Sequence, residues 1–189
     1  MTVTQAEPQP ATGSTRLLVA GAVGAAVALA LGIYGSAHSP ATDLTITLGF
    51  QDTITMKVWL ATLAVLFALF QLFSALWMYG RLSALGEAPP WIGSAHRISG
   101  RLAFLLSLPV AYHCLYQLAF QTGSARVLFH SLFGCLFYGA FATKVVVVRS
   151  HSLPGAALPV AGGLVFTLLV AVWLTSGLWF ISHHGFPPL

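Results

Sequence analysis

Five long apolar runs, broken by short polar segments, divide the chain. They cover Leu17–Gly35, Val58–Tyr79, Leu102–Phe120, Val127–Val148 and Leu158–Ile181, each 19 to 24 residues long. At about 1.5 Å per residue a helix of that length crosses roughly 30 Å of hydrocarbon. The pattern therefore predicts an all-α integral membrane bundle of five transmembrane helices over residues 17–182. A polar, Pro-containing lead-in (residues 1–16) has no period and reads as disordered, and residues 183–189 form a short tail. The third helix is expected to reach back to His96. The Gly/Ala-rich first run (GAVGAAVALALG) suits close helix approach. Its alternative reading is a signal peptide cut after Ala37, which leaves the other four spans in place.

Composition narrows the class. The chain is 57% hydrophobic and only 6% charged, against about 25% charged residues in a soluble domain. Too little charge remains to coat a water-facing surface. Eight Lys/Arg against four Asp/Glu give a basic balance, but no basic patch interleaved with aromatics exists, so nucleic acid is excluded as a partner. The charges lie mostly between the spans, where they report topology. Arg16, Arg81, Arg97, Arg101, Lys144 and Arg149 fall on the side of the N-terminus, Lys57 and Arg126 on the other. The expectation is an inner-membrane, multi-pass protein with its N-terminus inside and its C-terminus outside. Cys114 and Cys135 sit about 7 Å apart in depth by helical rise, too offset for an easy disulfide, and read as small packing residues.

The candidate chemistry is histidine inside apolar helices. An ionisable or ligating side chain within a membrane is costly and suggests function by default. His113 precedes the short loop Gln121–Ser124 by eight residues and His130 follows it by six, so a hairpin of the two helices brings both to one depth. Imidazole is the usual protein ligand of haem iron. Gly134, four residues after His130, leaves a bare stretch of helix on which a flat ring could lie. His96 and His151 stand at the far ends of the same helices, and Gly100 follows His96 at the same spacing. Arg126, with Arg97 and Arg101 for an inner site, could pair with haem propionates. The competing role of the histidines is polar glue between helices, for example His113 with His130, Tyr116, Gln71 or Ser74. Adjacent helices at 8–10 Å leave little room for a haem, so His183 or His184 is an alternative partner for His113.

HRISGR, a second histidine in the same span, then RVLFHSLFG opening the next span, resemble the cytochrome b561 and ferric-reductase-like superfamily of membrane b-type cytochromes. The likeness covers about residues 96–140. It implies histidine-ligated haem b, one or two per chain, with His130 matching the haem histidine of the HS-x-x-G helix and His96 that of the HR-x-x-G helix. Span two carries no histidine and span five none before its end, which departs from the two-haem pattern. The chain also looks like a group of small bacterial membrane proteins of unassigned function. The resemblance implies electron transfer from quinol or a redox protein to an acceptor at the outer face, in a homo-oligomer or as a subunit of a respiratory-type complex. The alternative is a haem-free accessory subunit. On the haem reading, loss of either His113 or His130 is expected to abolish the spectrum, and loss of His151 to alter part of it.

Overall fold

A computed structural model describes residues 13–41, 43–150 and 153–189. The described residues are helical and loop, with no strand among them. Five helices are long and apolar enough to cross a membrane: α1 (Gly13–Ala37), α2 (Thr53–Met78), α3 (Trp91–Gln117), α4 (Ala125–Arg149) and α5 (Ala157–His184). The all-helical, five-span expectation is met. The helices are longer than the apolar runs alone: α1 starts at Gly13, and α3 reaches back past His96 to Trp91.

Local chemistry sets several of the ends. Asp52 caps α2, its carboxylate accepting from the Ile54 and Thr55 amides at 2.8 Å each. Ser124 caps α4 by accepting from the Val127 amide. Gly80 (φ 68°) and Gly185 (φ 78°) end α2 and α5 in the left-handed region, where a residue without Cβ is unstrained.

The helices pack in the order α3, α2, α5, α4, with α1 outside against α4. Small and branched side chains of α2, α4 and α5 build the core, among them Ala64, Ala68, Phe137, Ala140 and Leu169. α1 meets α4 backbone to backbone. A Cβ on Gly24 would stand 2.6 Å from the Gly139 carbonyl oxygen, and one on Gly139 would stand 2.5 Å from that of Gly24. Thr143 Oγ1 adds a hydrogen bond to the Ala20 carbonyl at 3.2 Å. The small residues of the first span thus serve the close approach expected of them.

α3 and α4 meet mainly through side chains. Phe104 stacks on Phe141 with centroids 4.0 Å apart, and Tyr138 and Ser107 share a hydroxyl hydrogen bond of 2.9 Å. Towards the 118–124 loop the two helices stay separated and a cleft opens.

Two helices change register at that level. α3 turns from α into π geometry over His113–Gln117, and α5 does so over Leu174–Leu178. In α3 the change follows Pro109, which has no amide to donate, and the His113 amide is shared between the Pro109 and Val110 carbonyls. Single π turns in α-helices concentrate at functional sites.

Candidate functional site

A partly open cleft of about 140 Å³ lies between α3 and α4, smaller than the roughly 300–1,000 Å³ typical of ligand sites. α2 and α5 close its back through Ala64 and Leu169. Its walls are mostly apolar, with polar atoms from Cys114, His130, Ser107 and Tyr138. Such walls offer a ligand few directed contacts.

His130 lies half-buried on the cleft wall. Its Nδ1 is 3.3 Å from the Val172 carbonyl oxygen and 3.3 Å from Thr175 Oγ1. The Thr175 hydroxyl already donates to the Ala171 and Val172 carbonyls, so both groups accept from the ring and Nδ1 carries the proton. In neutral imidazole Nε2 then holds the lone pair. Nδ1–H donation to a carbonyl is also how ligating histidines are oriented at metal sites. Nε2 accepts a hydrogen bond from the Cys114 thiol, with Sγ at 3.8 Å. Beside it, a Cβ on Gly134 would meet nothing within 4 Å. The expected bare surface next to His130 is there.

His113 is turned away from this cleft. It is fully buried (0% exposed), and its Nε2 donates to the Ile46 carbonyl at 2.6 Å. Its Nδ1 is hydrogen-bonded to Gln117 Oε1. Neighbouring side chains bind the same loop: Tyr112 OH and Gln117 Nε2 both donate to the Leu44 carbonyl at 3.0 Å. His113 therefore fastens the end of α3 to the segment between α1 and α2. The structure brings His130 together with Cys114, the next residue, and not with His113.

The other histidines are dispersed. His96 Nδ1 pairs with Ser74 Oγ at 2.7 Å. The face that Gly100 leaves open is filled by the Gln71 amide, whose Oε1 would lie 2.9 Å from a Cβ there. Gln71 also donates to the His96 carbonyl and to Ser99 Oγ. A second, smaller cleft of about 50 Å³ lies nearby, with Gln71, Phe104, Phe141 and Lys144 on its walls. His151 lies outside the described residues. His38 donates to the Tyr116 carbonyl (3.0 Å) and stacks between Tyr34 and Tyr116. His183 stacks on Trp179 at 4.5 Å and bonds its carbonyl. Arg126 donates to the Thr175 carbonyl at 2.7 Å and lies 3.9 Å over the Trp179 ring, which ties α4 to α5 one turn before His130.

Cys114 and Thr175 are the site residues that sequence reasoning missed. Cys114 had a readable signal in its depth, one residue from His113. Thr175 had none, since its role depends on which way α5 faces. Among the described residues no group of three or more His, Cys, Asp or Glu side chains could hold a metal ion. A bare-ion centre built from the protein alone is thus not what the cleft offers. A ring that brings its own equatorial nitrogens needs only an imidazole lone pair from the protein; His130 Nε2 has one, but the ring would have to displace the Cys114 thiol and widen the cleft beside Gly134.

The chain belongs to DUF6529, a family of unknown function, whose model matches residues 17–188. No curated protein and no solved structure matches it significantly.

Proposed function

We propose that this family member is a small membrane cytochrome that holds one b-type haem in the cleft between α3 and α4, with His130 as an axial ligand. It would pass electrons from a quinol or a redox protein to an acceptor at the outer face of the cytoplasmic membrane. The supporting observation is the state of His130: Nδ1 is committed to the Val172 carbonyl and Thr175, and Nε2 carries its lone pair towards the cleft beside Gly134, where its one partner among the described residues is the weakly donating Cys114 thiol at 3.8 Å. Bound there, the haem supplies one-electron exchange at its iron. The protein's part is to hold the imidazole in one tautomer, to exclude water with apolar walls, and to set the site at a fixed depth. Arg126, one turn before His130 and braced on Trp179, carries a charge that favours an anionic group. Six of the eight Lys/Arg fall on the N-terminal side of the bundle, which supports an N-inside, C-outside orientation.

One haem per chain is the reading the geometry favours. At the opposite end, Gln71 fills the space beside Gly100 and Ser74 holds His96 Nδ1, so a second ring has no bare helix face there. The haem-free accessory subunit remains the rival reading, and His113 favours it, since both of its ring nitrogens serve the fold. Purification of the full chain in detergent separates the two. A Soret band that shifts on dithionite reduction, with about one haem per chain by pyridine haemochrome, supports the cytochrome. A folded, colourless protein from haem-replete cells defeats it.

A further inference from the structure

We infer that Arg101 of α3 and Lys144 of α4 form a binding site for the phosphate of an anionic membrane phospholipid. The site lies at the end of the bundle away from the 118–124 loop and does not depend on haem. The α3 and α4 backbones stay apart, since α3 packs on α2 and α4 packs on α5 and α1. Phe104 and Phe141 bridge the groove between them, stacked at 4.0 Å. Arg101 comes three residues before Phe104, and Lys144 comes three residues after Phe141. The two helices run antiparallel, so both cations stand about 4.5 Å beyond the stack, at one level and towards the same end. Residues three apart share a helix face, which puts both charges beside the groove. Lys144 lines the smaller cleft there, and the exposed Arg101 follows Gly100 of its wall.

Two like charges beside one gap repel unless an anion lies between them. No span supplies one. The four carboxylates, Glu7, Asp43, Asp52 and Glu87, fall outside the spanning helices. Among the described residues no acceptor is bonded to Arg101 or Lys144. Free space in the cleft is about 50 Å³, room for roughly three to five water-sized atoms. That suits a phosphate or carboxylate group and is too small for a ring system. Lysine binds phosphate as a point charge and arginine through two parallel N–H bonds. The rest of the wall is apolar, with Phe104, Phe141, Val165 and Phe166, so the occupant carries a hydrocarbon body beside its charge. An acidic phospholipid has both parts, and basic clefts between membrane helices take such headgroups. Lys144 lies five residues before the end of α4, about 7.5 Å by helical rise, within reach of a headgroup for so long a side chain.

The test uses the full chain, purified in detergent and stripped of lipid. Binding of phosphatidylglycerol or phosphatidylcholine is read by native mass spectrometry and thermal shift. The wild type should retain one phosphatidylglycerol and bind phosphatidylcholine at least tenfold more weakly. Arg101→Gln combined with Lys144→Gln should weaken phosphatidylglycerol binding at least tenfold. Arg81→Gln combined with Arg149→Gln removes the same charge from exposed positions at the same end and should change binding less than twofold. Arg101→Gln alone, at an exposed position, should fold and still weaken binding, while Lys144→Arg should bind as the wild type does. Equal binding of the two lipids, equal losses in the two double variants, or equal stabilisation by inorganic phosphate would overturn the inference and leave the cytochrome reading standing. A colourless protein that binds phosphatidylglycerol in this way would overturn the cytochrome reading and leave the lipid site standing.

Discussion

Cys114 and His113 are consecutive, yet they face opposite surroundings: the thiol meets His130 across the cleft at 3.8 Å, and the imidazole meets the Ile46 carbonyl at 2.6 Å. One residue of helical rotation separates a group that lines the cleft from a group that holds a loop. His113 and His130 therefore have different surroundings, and variants at each should fail in different ways.

His113→Ala should destabilise the protein by about 1–3 kcal/mol, since it leaves buried partners without their hydrogen bonds. Thermal unfolding in detergent should show the loss. Haem content at temperatures well below the transition should stay near the wild-type level. His130→Ala should do the reverse, with a near-normal transition and no bound haem. Loss of haem on His113→Ala in protein that is still folded would contradict this division.

Gly134 offers a steric probe. A Cβ there meets nothing within 4 Å, so Gly134→Ala should be tolerated by both fold and site. Gly134→Leu should still fold, while its side chain fills the cleft beside His130 and lowers haem occupancy by at least tenfold. Equal occupancy in the two variants, read by pyridine haemochrome, would mean that the ring lies elsewhere.

The α1–α4 contact should be intolerant of size. Gly24→Leu drives a side chain into the Gly139 carbonyl and Thr143, and overpacking of this kind costs about 1–3 kcal/mol. Crosslinking between cysteines introduced on facing turns of α1 and α4 should fall sharply. The haem spectrum should persist, since α1 contributes no wall to the cleft.

Asp52 should give the protein an acid-sensitive helix end. Its hydrogen bonds from the Thr55 amide and hydroxyl, with smaller help from the Ile54 amide and the charge of Lys57, hold its carboxyl below the ordinary 3.8. Because the folded value is depressed, the ionised cap stabilises the fold above about pH 4 and that contribution is lost as pH falls through the lowered value. Asp52→Ala should therefore lower the unfolding temperature at neutral pH and flatten the acid limb of its pH profile. Parallel wild-type and variant profiles between pH 2 and 5 would refute the assignment.

What the sequence made legible was depth. Hydropathy placed five spans, and counting from the Gln121–Ser124 loop put residues 113 and 130 near one level, where Cys114 and His130 do meet. Rotation about the helix axis was not legible. The π turn at His113–Gln117 shifts the hydrogen-bond register after Pro109, and no apolar periodicity reports it because both faces of α3 are apolar. Room for a ligand was also hidden. A short loop implies neighbouring helices and a closed seam. Here α3 leans on α2 and α4 leans on α5, so the loop bridges an opening. The glycine after His130 was read correctly as bare surface. The equivalent glycine after His96 was not distinguishable from it until Gln71, a helix away, was seen against it.

Each π turn amounts to one residue more than a regular helix needs over the same rise. Chain length through residues 113–117 and 174–178 therefore sets which side chains line the cleft, as much as the identity of any one of them. A relative or variant one residue shorter in either stretch would keep five spans and the same hydropathy profile. It would nonetheless present a different stripe of α3 or α5 to its neighbours beyond the deletion.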